Sequence, residues 1–218
     1  MMDNLDQPVN LNPDFFIPLD LKLPREDVDA CYGHVIPLLK ELHKDSTRLW
    51  FNSAHAAKHP FTATQKLANE FLNPLGLKAD VMGVFIVRPN TYDRNIHADS
   101  GRMETRLNFY ELAEASGVVR WFPDTGDGYE TVNKNLDGIE FVDYTWPWVI
   151  DFKAKKLDWD NIPAPIHSTA TTCSSALVRT DYPHHVIQGN GFRVTVTCRV
   201  ADIKTGALVG TWSKLKNL

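Results

Sequence analysis

A chain of 218 residues with 43% hydrophobic and 23% charged residues carries enough apolar side chain for a sizeable core, which argues against wholesale disorder. The formal net charge is −4 and no Lys/Arg run stands out, so nothing electrostatic recommends a nucleic-acid partner; Lys153 to Lys156, flanked by Asp151 and Asp158, reads as a solvated face. The three cysteines, Cys31, Cys173 and Cys198, lie far apart, suggest neither a zinc knuckle nor a disulfide framework, and fit free thiols in a reducing compartment.

The opening residues MMDNLDQPVN are polar and acidic, unlike a signal peptide. No stretch approaches the roughly 18 apolar residues that a membrane helix needs. A cytoplasmic protein with no membrane contact is the expectation. Residues 1–24 are rich in Pro and Asp and are expected to lie extended on the surface, anchored by Phe15, Phe16 and Ile17. Residues 26–43 read as a helix, with Val28, Cys31, Val35, Leu38 or Leu39, and Leu42 at three- and four-residue steps. Pro37 should kink or split it. A second helix is expected from about Ala63 to Leu72, with Thr62 and Gln65 spaced as a capping box and Leu67, Phe71 and Leu72 as its apolar stripe.

After Gly76 the pattern turns to strands. Asp80 to Val87 is followed by segments near 102–111, 117–123, 138–143, 175–180, 183–188, 192–200 and 207–213, which together suggest a sandwich or barrel. The segment Pro123 to Thr172 carries Tyr144, Trp146, Trp148 and Trp159 and reads as a partly ordered insertion. Residues 1–79 thus form an N-terminal extension with supporting helices and residues 80–218 a β core, one structural domain overall.

Two strands mix their faces unusually. Arg102, Glu104, Arg106 and Asn108 alternate with Met103, Thr105, Leu107 and Phe109. Arg193, Thr195, Thr197 and Arg199 alternate with Val194, Val196, Cys198 and Val200. An ordinary solvated face would explain either strand alone. Arginine among small hydroxyls and an amide points instead to a polar cavity lined by both.

His97-Ala98-Asp99 puts an imidazole and a carboxylate on the same side of an extended segment, where both can reach one metal. By itself the pair is more often a surface hydrogen bond. A distant histidine, from Pro183-His184-His185, would complete a 2-His-1-carboxylate triad that leaves adjacent metal positions open. Gln188-Gly189-Asn190-Gly191 is a hairpin turn signal. With Gly189-Asn190 as the loop, His184 lies opposite Thr195 and Val186 opposite Arg193. Any even-numbered loop places His184 on the Arg193 face and an odd one reverses this. We assign the ligand to His184 and leave His185 packed just outside. Arg193 can then grip a dicarboxylate with two parallel hydrogen bonds, Thr195 adding a hydroxyl. Arg199 is the competing anchor, favoured if Asn190-Gly191 is the loop.

His97-Ala98-Asp99, Pro183-His184 and Arg193 resemble the iron and cosubstrate motifs of the 2-oxoglutarate/iron(II)-dependent dioxygenases. Arg106-Leu107-Asn108-Phe109 is similar to the Arg-Leu-His strand of the aspartyl/asparaginyl β-hydroxylase-like branch, where Arg and His help bind the cosubstrate; Asn108 stands where that histidine would be. The resemblance covers residues 80–200. It implies a mainly β fold with N-terminal helices, a double-stranded β-helix of the jelly-roll or cupin-like kind. It also implies Fe(2+) held by His97, Asp99 and His184, and 2-oxoglutarate bound through Arg193, Thr195, Arg106 and Asn108. Dioxygen would be the co-reactant, with ascorbate a possible addition. The implied reaction hydroxylates an amino-acid, peptidyl or small-metabolite substrate and releases succinate and carbon dioxide. Asp99 argues against halogenation, which needs that position vacant. The rival readings are a cupin-like metal dioxygenase that does not use 2-oxoglutarate and a non-catalytic β-sandwich binding module. In such a fold the 123–172 segment, stiffened by Trp146-Pro147-Trp148, is expected to help cover the substrate pocket.

Overall fold

The structure, a computed structural model, describes residues 12–37, 48–52, 61–89, 96–99, 103–114, 117–134, 140–146, 162–216 and 218. Among the described residues twelve strands run in chain order: β1 (Phe16–Leu19), β2 (Arg48–Asn52), β3 (Leu77–Val87), β4 (His97–Ala98), β5 (Thr105–Phe109), β6 (Gly117–Trp121), β7 (Tyr129–Lys134), β8 (Glu140–Thr145), β9 (His167–Ala170), β10 (Ser175–Arg179), β11 (His184–Gln188) and β12 (Arg193–Asp202). They form two six-stranded sheets, one ordered β1-β10-β5-β12-β3-β2 and the other β7-β8-β4-β11-β6-β9. Every recorded pairing is antiparallel.

Within these sheets the quartet β10-β5-β12-β3 belongs to the first and β9-β6-β11-β4 to the second. From β9 onward every strand changes sheet, as do β3, β4, β5 and β6 in turn. That is the winding of a double-stranded β-helix, a two-sheet jelly roll. The hairpin β7–β8 is inserted between β6 and β9 and extends the second sheet beyond β4.

Alternation along β5 and β12 divides the molecule into two compartments. Leu107, Phe109, Val194, Val196, Cys198 and Val200 face one cluster, joined by Met82, Val84 and Ile86 of β3 and by Ala68 and Leu72. Each fully buried aliphatic side chain there contributes about 1.5–3 kcal/mol. Two helices, α1 (Arg25–Ala30) and α2 (Thr62–Leu72), contribute to this cluster or pack beside it. The opposite faces of β5 and β12 look into the space between the sheets. A smaller apolar cluster fills one flank of that space: Phe15, Phe16, Tyr110, Val119, Trp121, Ala176 and Val178.

Several expectations are corrected. The helix from residue 26 runs as α1 and passes into a π-helical turn, Cys31–Val35. Pro37 has no N–H for the carbonyl of Gly33, and the turn before it is widened; residues 38–43 lie outside the described residues. The Thr62/Gln65 capping box does not form. The cap residue of α2 is Phe61, in the left-handed region with φ 52°, and it makes no side-chain cap bond. Instead Asp27 of α1 accepts hydrogen bonds from Thr64 N (2.7 Å) and from Thr64 Oγ1, serving an N–H that the helix leaves open. The buried stripe of α2 is Thr64, Ala68 and Leu72. Residues 207–213 form no strand but turns that lead into a 3-10 turn at Trp212–Lys214. Phe15, Phe16 and Ile17 are buried anchors, and β1 pairs with β10.

Candidate metal centre

One row of residues crosses the second sheet. Thr145 lies opposite His97, His97 opposite His184, His184 opposite Trp121, and Trp121 opposite His167. Directly opposed residues share a face, so this row looks into the space between the sheets. Asp99 is two residues past His97 and is fixed by its own N–H donating to Thr180 O at 3.0 Å.

His97, Asp99 and His184 are all buried, and each offers a ligand atom within 4.8 Å of the others. The His97 and His184 rings lie 4.6 Å apart, and His97 Nε2 is 3.8 Å from Asp99 Oδ1. His184 Nδ1 is 3.0 Å from Tyr182 O. A carbonyl can only accept, so Nδ1 carries the proton and Nε2 keeps its lone pair for a ligand. Arg106 Nε donates to Asp99 Oδ2, leaving Oδ1 toward the histidines. Burial alone would raise the Asp99 pKa, but the Arg106 guanidinium, His184 and His97 hold it well below the usual carboxylate range. An ionised carboxylate and two imidazoles suit a first-row divalent metal, so the donor set fits such an ion.

Deeper between the sheets lies a second polar group. Arg193, buried at the start of β12, donates from Nε to Thr195 Oγ1 at 3.2 Å, and its guanidinium carbon sits 5.3 Å from the Tyr110 ring. Burial raises the Tyr110 pKa against the opposing charge of Arg193. Thr197 Oγ1 donates to Asn108 Oδ1 at 2.6 Å, and Asn108 Nδ2 donates to Tyr110 Oη at 3.2 Å. Gly117 makes room here: a Cβ would meet Ile187 O at 2.9 Å and Arg193 Nη1 at 3.4 Å.

The structure thus brings His97, Asp99 and His184 together with Arg106, and gathers Arg193, Thr195, Asn108 and Tyr110 on the interior faces of the first sheet. Arg199 is elsewhere engaged, with its Nη2 on Asp80 Oδ2. The register used to choose His184 is corrected. β11 and β12 are not a hairpin pair; they belong to different sheets, and β11 pairs with β4 and β6. The Gly189–Asn190 turn carries the chain from one sheet to the other, with Gln188 Nε2 donating to Gly191 O at 2.8 Å. His185 lies opposite Arg120 on the outer face.

The insertion is also more ordered than read, since it holds β7, β8 and β9. Tyr144 and Trp146 alternate with Thr145 and therefore turn away from the metal row. They pack edge to face, 5.1 Å between centroids, and Tyr144 presses on Gly128 so closely that a Cβ there would lie 2.2 Å from its ring. Tyr144 and Trp146 thus buttress the outer face, whereas Tyr129 of β7, opposite Thr145, shares the face of the metal row and is exposed. Tyr92, Arg102, Trp148 and Trp159 lie outside the described residues. Sequence reading missed His167, Thr169 and Tyr110: β9 carries no apolar alternation, and an aromatic near the end of the strand read over 102–111 looks like ordinary core packing.

No family model and no curated protein matches the sequence. Similar solved structures include AviO1 from Streptomyces viridochromogenes Tue57, at 12% identity over 89% of this chain and 92% of that one, TM-score 0.45. Another is E. coli YcfD, at 10% identity over 70% of this chain, TM-score 0.35; this chain spans 33% of its length. A third is CapF with the inhibitor 3-isopropenyl-tropolone, at 14% identity over 56% of this chain and 24% of that one, TM-score 0.23. The double-stranded β-helix stands on the strand order and pairing given above. Among the described residues no helix is long and apolar enough to cross a membrane.

Proposed function

We propose that this chain is a 2-oxoglutarate- and iron(II)-dependent oxygenase that hydroxylates an amino-acid, peptidyl or small-metabolite substrate. One observation carries the reading. A buried His97–Asp99–His184 donor set opens into the same intersheet space as a buried arginine, Arg193, nine residues after His184 in sequence.

In this reading His97 Nε2, His184 Nε2 and Asp99 Oδ1 hold the metal. Bound iron supplies dioxygen activation coupled to oxidative decarboxylation of the cosubstrate, with succinate and carbon dioxide as products. Arg106 fixes the Asp99 carboxylate through Oδ2, so one oxygen remains for the metal. Tyr182 O keeps the His184 ring in the tautomer that can ligate. Arg193 receives the distal carboxylate of 2-oxoglutarate, and Thr195 holds the guanidinium and shares the anion. Asn108, occupied by Thr197 and Tyr110, acts on the cosubstrate by positioning the Tyr110 hydroxyl. The apolar walls Val119, Val178 and Trp121 keep water from the space between the sheets.

The test is succinate release from 2-oxoglutarate by iron(II)-loaded protein, with ascorbate, against a panel of amino acids and peptides. Succinate in wild type and none in Asp99→Ala supports the reading. Substrate oxygenation without succinate would transfer it to a metal dioxygenase that binds substrate directly. A chain that takes up no iron(II) and shows no thermal shift with iron(II) plus 2-oxoglutarate would leave a binding module.

A further inference from the structure

The metal row does not end at His184. Neighbouring strands lie about 4.8 Å apart, so two strands further on, past Trp121, the backbone of His167 stands roughly 10 Å from that of His184. His167 shares its inward face, and on the same edge strand Thr169, two residues on, faces the same way. Both are almost fully buried, at 5% and 2% exposure. Among the described residues, neither His167 Nε2 nor Thr169 Oγ1 has a hydrogen-bond partner. The next hydroxyl on that face, Thr171, is fully engaged: it accepts from Gly117 N at 3.0 Å and donates to Gly117 O at 3.2 Å. The strand can therefore satisfy a buried hydroxyl, and leaves two polar groups open nearest the metal row. Buried polar groups are normally paired, and one left open in a native protein calls for a reason.

The surroundings restrict what could fill the gap. Trp121 stacks on His167 at 5.3 Å and 29°, and Phe15 at 5.7 Å and 18°. Phe15 also meets Tyr182 edge-on at 5.4 Å. No ion pair to His167 is found among the described residues, and burial holds its imidazole below the ordinary pKa. A carboxylate or ammonium placed against the His167 ring would lose its hydration between Trp121 and Phe15, with no ion pair to replace it there. A hydroxyl or carboxamide could both give and accept, as a neutral imidazole and a threonine hydroxyl require.

We propose that His167 and Thr169 form a substrate-recognition subsite for a neutral hydrogen-bonding group, hydroxyl or carboxamide, carried on an aromatic or apolar body. The subsite lies on the flank of the metal row opposite His97, with Trp121 between it and His184. That the occupant is the molecule to be oxidised rests on the oxygenase reading; that the subsite prefers neutral polar groups does not.

The test uses the full chain, metal-free, with three probes that share one ring: benzyl alcohol, benzamide and benzoate. The reporter is the Trp121 indole N–H signal in a 1H–15N spectrum, assigned by its loss in Trp121→Phe. Expected is a saturable shift at millimolar benzyl alcohol and benzamide, with benzoate at least tenfold weaker. Thr169→Val should weaken both neutral probes about fivefold or more, and His167→Phe, which keeps the aromatic stack, should do the same. Thr169→Val should also raise Tm by about 2 °C, since it removes an unsatisfied buried hydroxyl at little change of shape. Absence of any saturable shift, benzoate binding as well as the neutral probes, unchanged affinities in both variants, or a fall in Tm for Thr169→Val would each overturn the proposal. A fall in Tm would mean that a buried water already serves the hydroxyl. Probe binding here, together with no succinate release by the iron(II)-loaded protein in the assay above, would count against the oxygenase reading alone.

Discussion

His184 stands directly opposite His97 across the β4–β11 pair, with ring centroids 4.6 Å apart and planes inclined at 45°. Two candidate ligands thus come from adjacent strands of one sheet and need no loop to bring them together. Its neighbour His185 faces the other way, opposite Arg120. Dialysed His184→Ala, His97→Ala or Asp99→Ala protein is expected to hold less than a tenth of the bound divalent metal of wild type by elemental analysis. His185→Ala should hold a full equivalent. The reverse pattern for the two adjacent histidines would move the centre to the outer face.

Arg106 grips the oxygen of Asp99 that points away from the histidines. Loss of a group that orients a metal ligand commonly weakens binding by about 10–100-fold. Arg106→Met should show such a loss in a competition titration with a chelator while keeping the stoichiometry at one. An unchanged metal affinity would mean that Arg106 serves the fold only.

Arg193 and Arg199 occupy the same face of β12, and Arg199 is tied to the carboxylate of Asp80. Arg193→Ala should raise the apparent 2-oxoglutarate requirement by about 30-fold or more, in keeping with truncating a buried charged contact. Iron uptake should be unaffected, and Arg199→Ala should change the requirement little. Gly117→Ala should move in the direction of Arg193→Ala, because its methyl group meets Ile187 O and crowds the guanidinium.

Acid sensitivity of the metal-free protein should trace in part to Asp99. Its folded-state pKa lies below the unfolded one. The group therefore contributes stability above about pH 4, and that contribution fades as pH falls into the acid range. Urea unfolding of wild type and Asp99→Asn, with chelator present, should show the widest gap near neutral pH and a closing gap below about pH 4. A gap that stays constant with pH would detach the carboxylate from this behaviour.

The thiols should react in an order set by burial. Cys31 and Cys198 are fully buried and their pKa values are pushed up to about 12, by burial first in each case. Cys173 is only half-buried, and its pKa is raised as well. Iodoacetamide at pH 8 should label Cys173 first in the native protein and reach the other two only after denaturation, as read by mass spectrometry of peptides.

Local periodicity made much of the candidate site legible. The two-residue spacing of His97 and Asp99 needs only an extended backbone, and the alternation in Arg193-x-Thr195-x-Thr197 marks a polar face whatever strand lies beside it. What sequence could not supply is which strands are neighbours. A glycine-rich turn after Gln188 looks the same whether the chain folds back beside itself or crosses to an opposing sheet, so a register counted through that turn had no physical basis. β9 escaped notice because His167-Ser168-Thr169-Ala170 has no apolar face to announce it. The cap on α2 was equally hidden, since Asp27 lies 37 residues before Thr64.

β12 separates two kinds of demand. Its odd positions from Arg193 to Arg199 carry polar groups toward the space between the sheets, while Val194, Val196, Cys198 and Val200 are locked into the packed side. An engineer can therefore randomise Thr195 and Thr197 to reshape what the cavity accepts while leaving the packing that keeps the domain folded untouched. The converse also follows: a lineage under pressure for heat tolerance can revise the even positions without rewriting its chemistry.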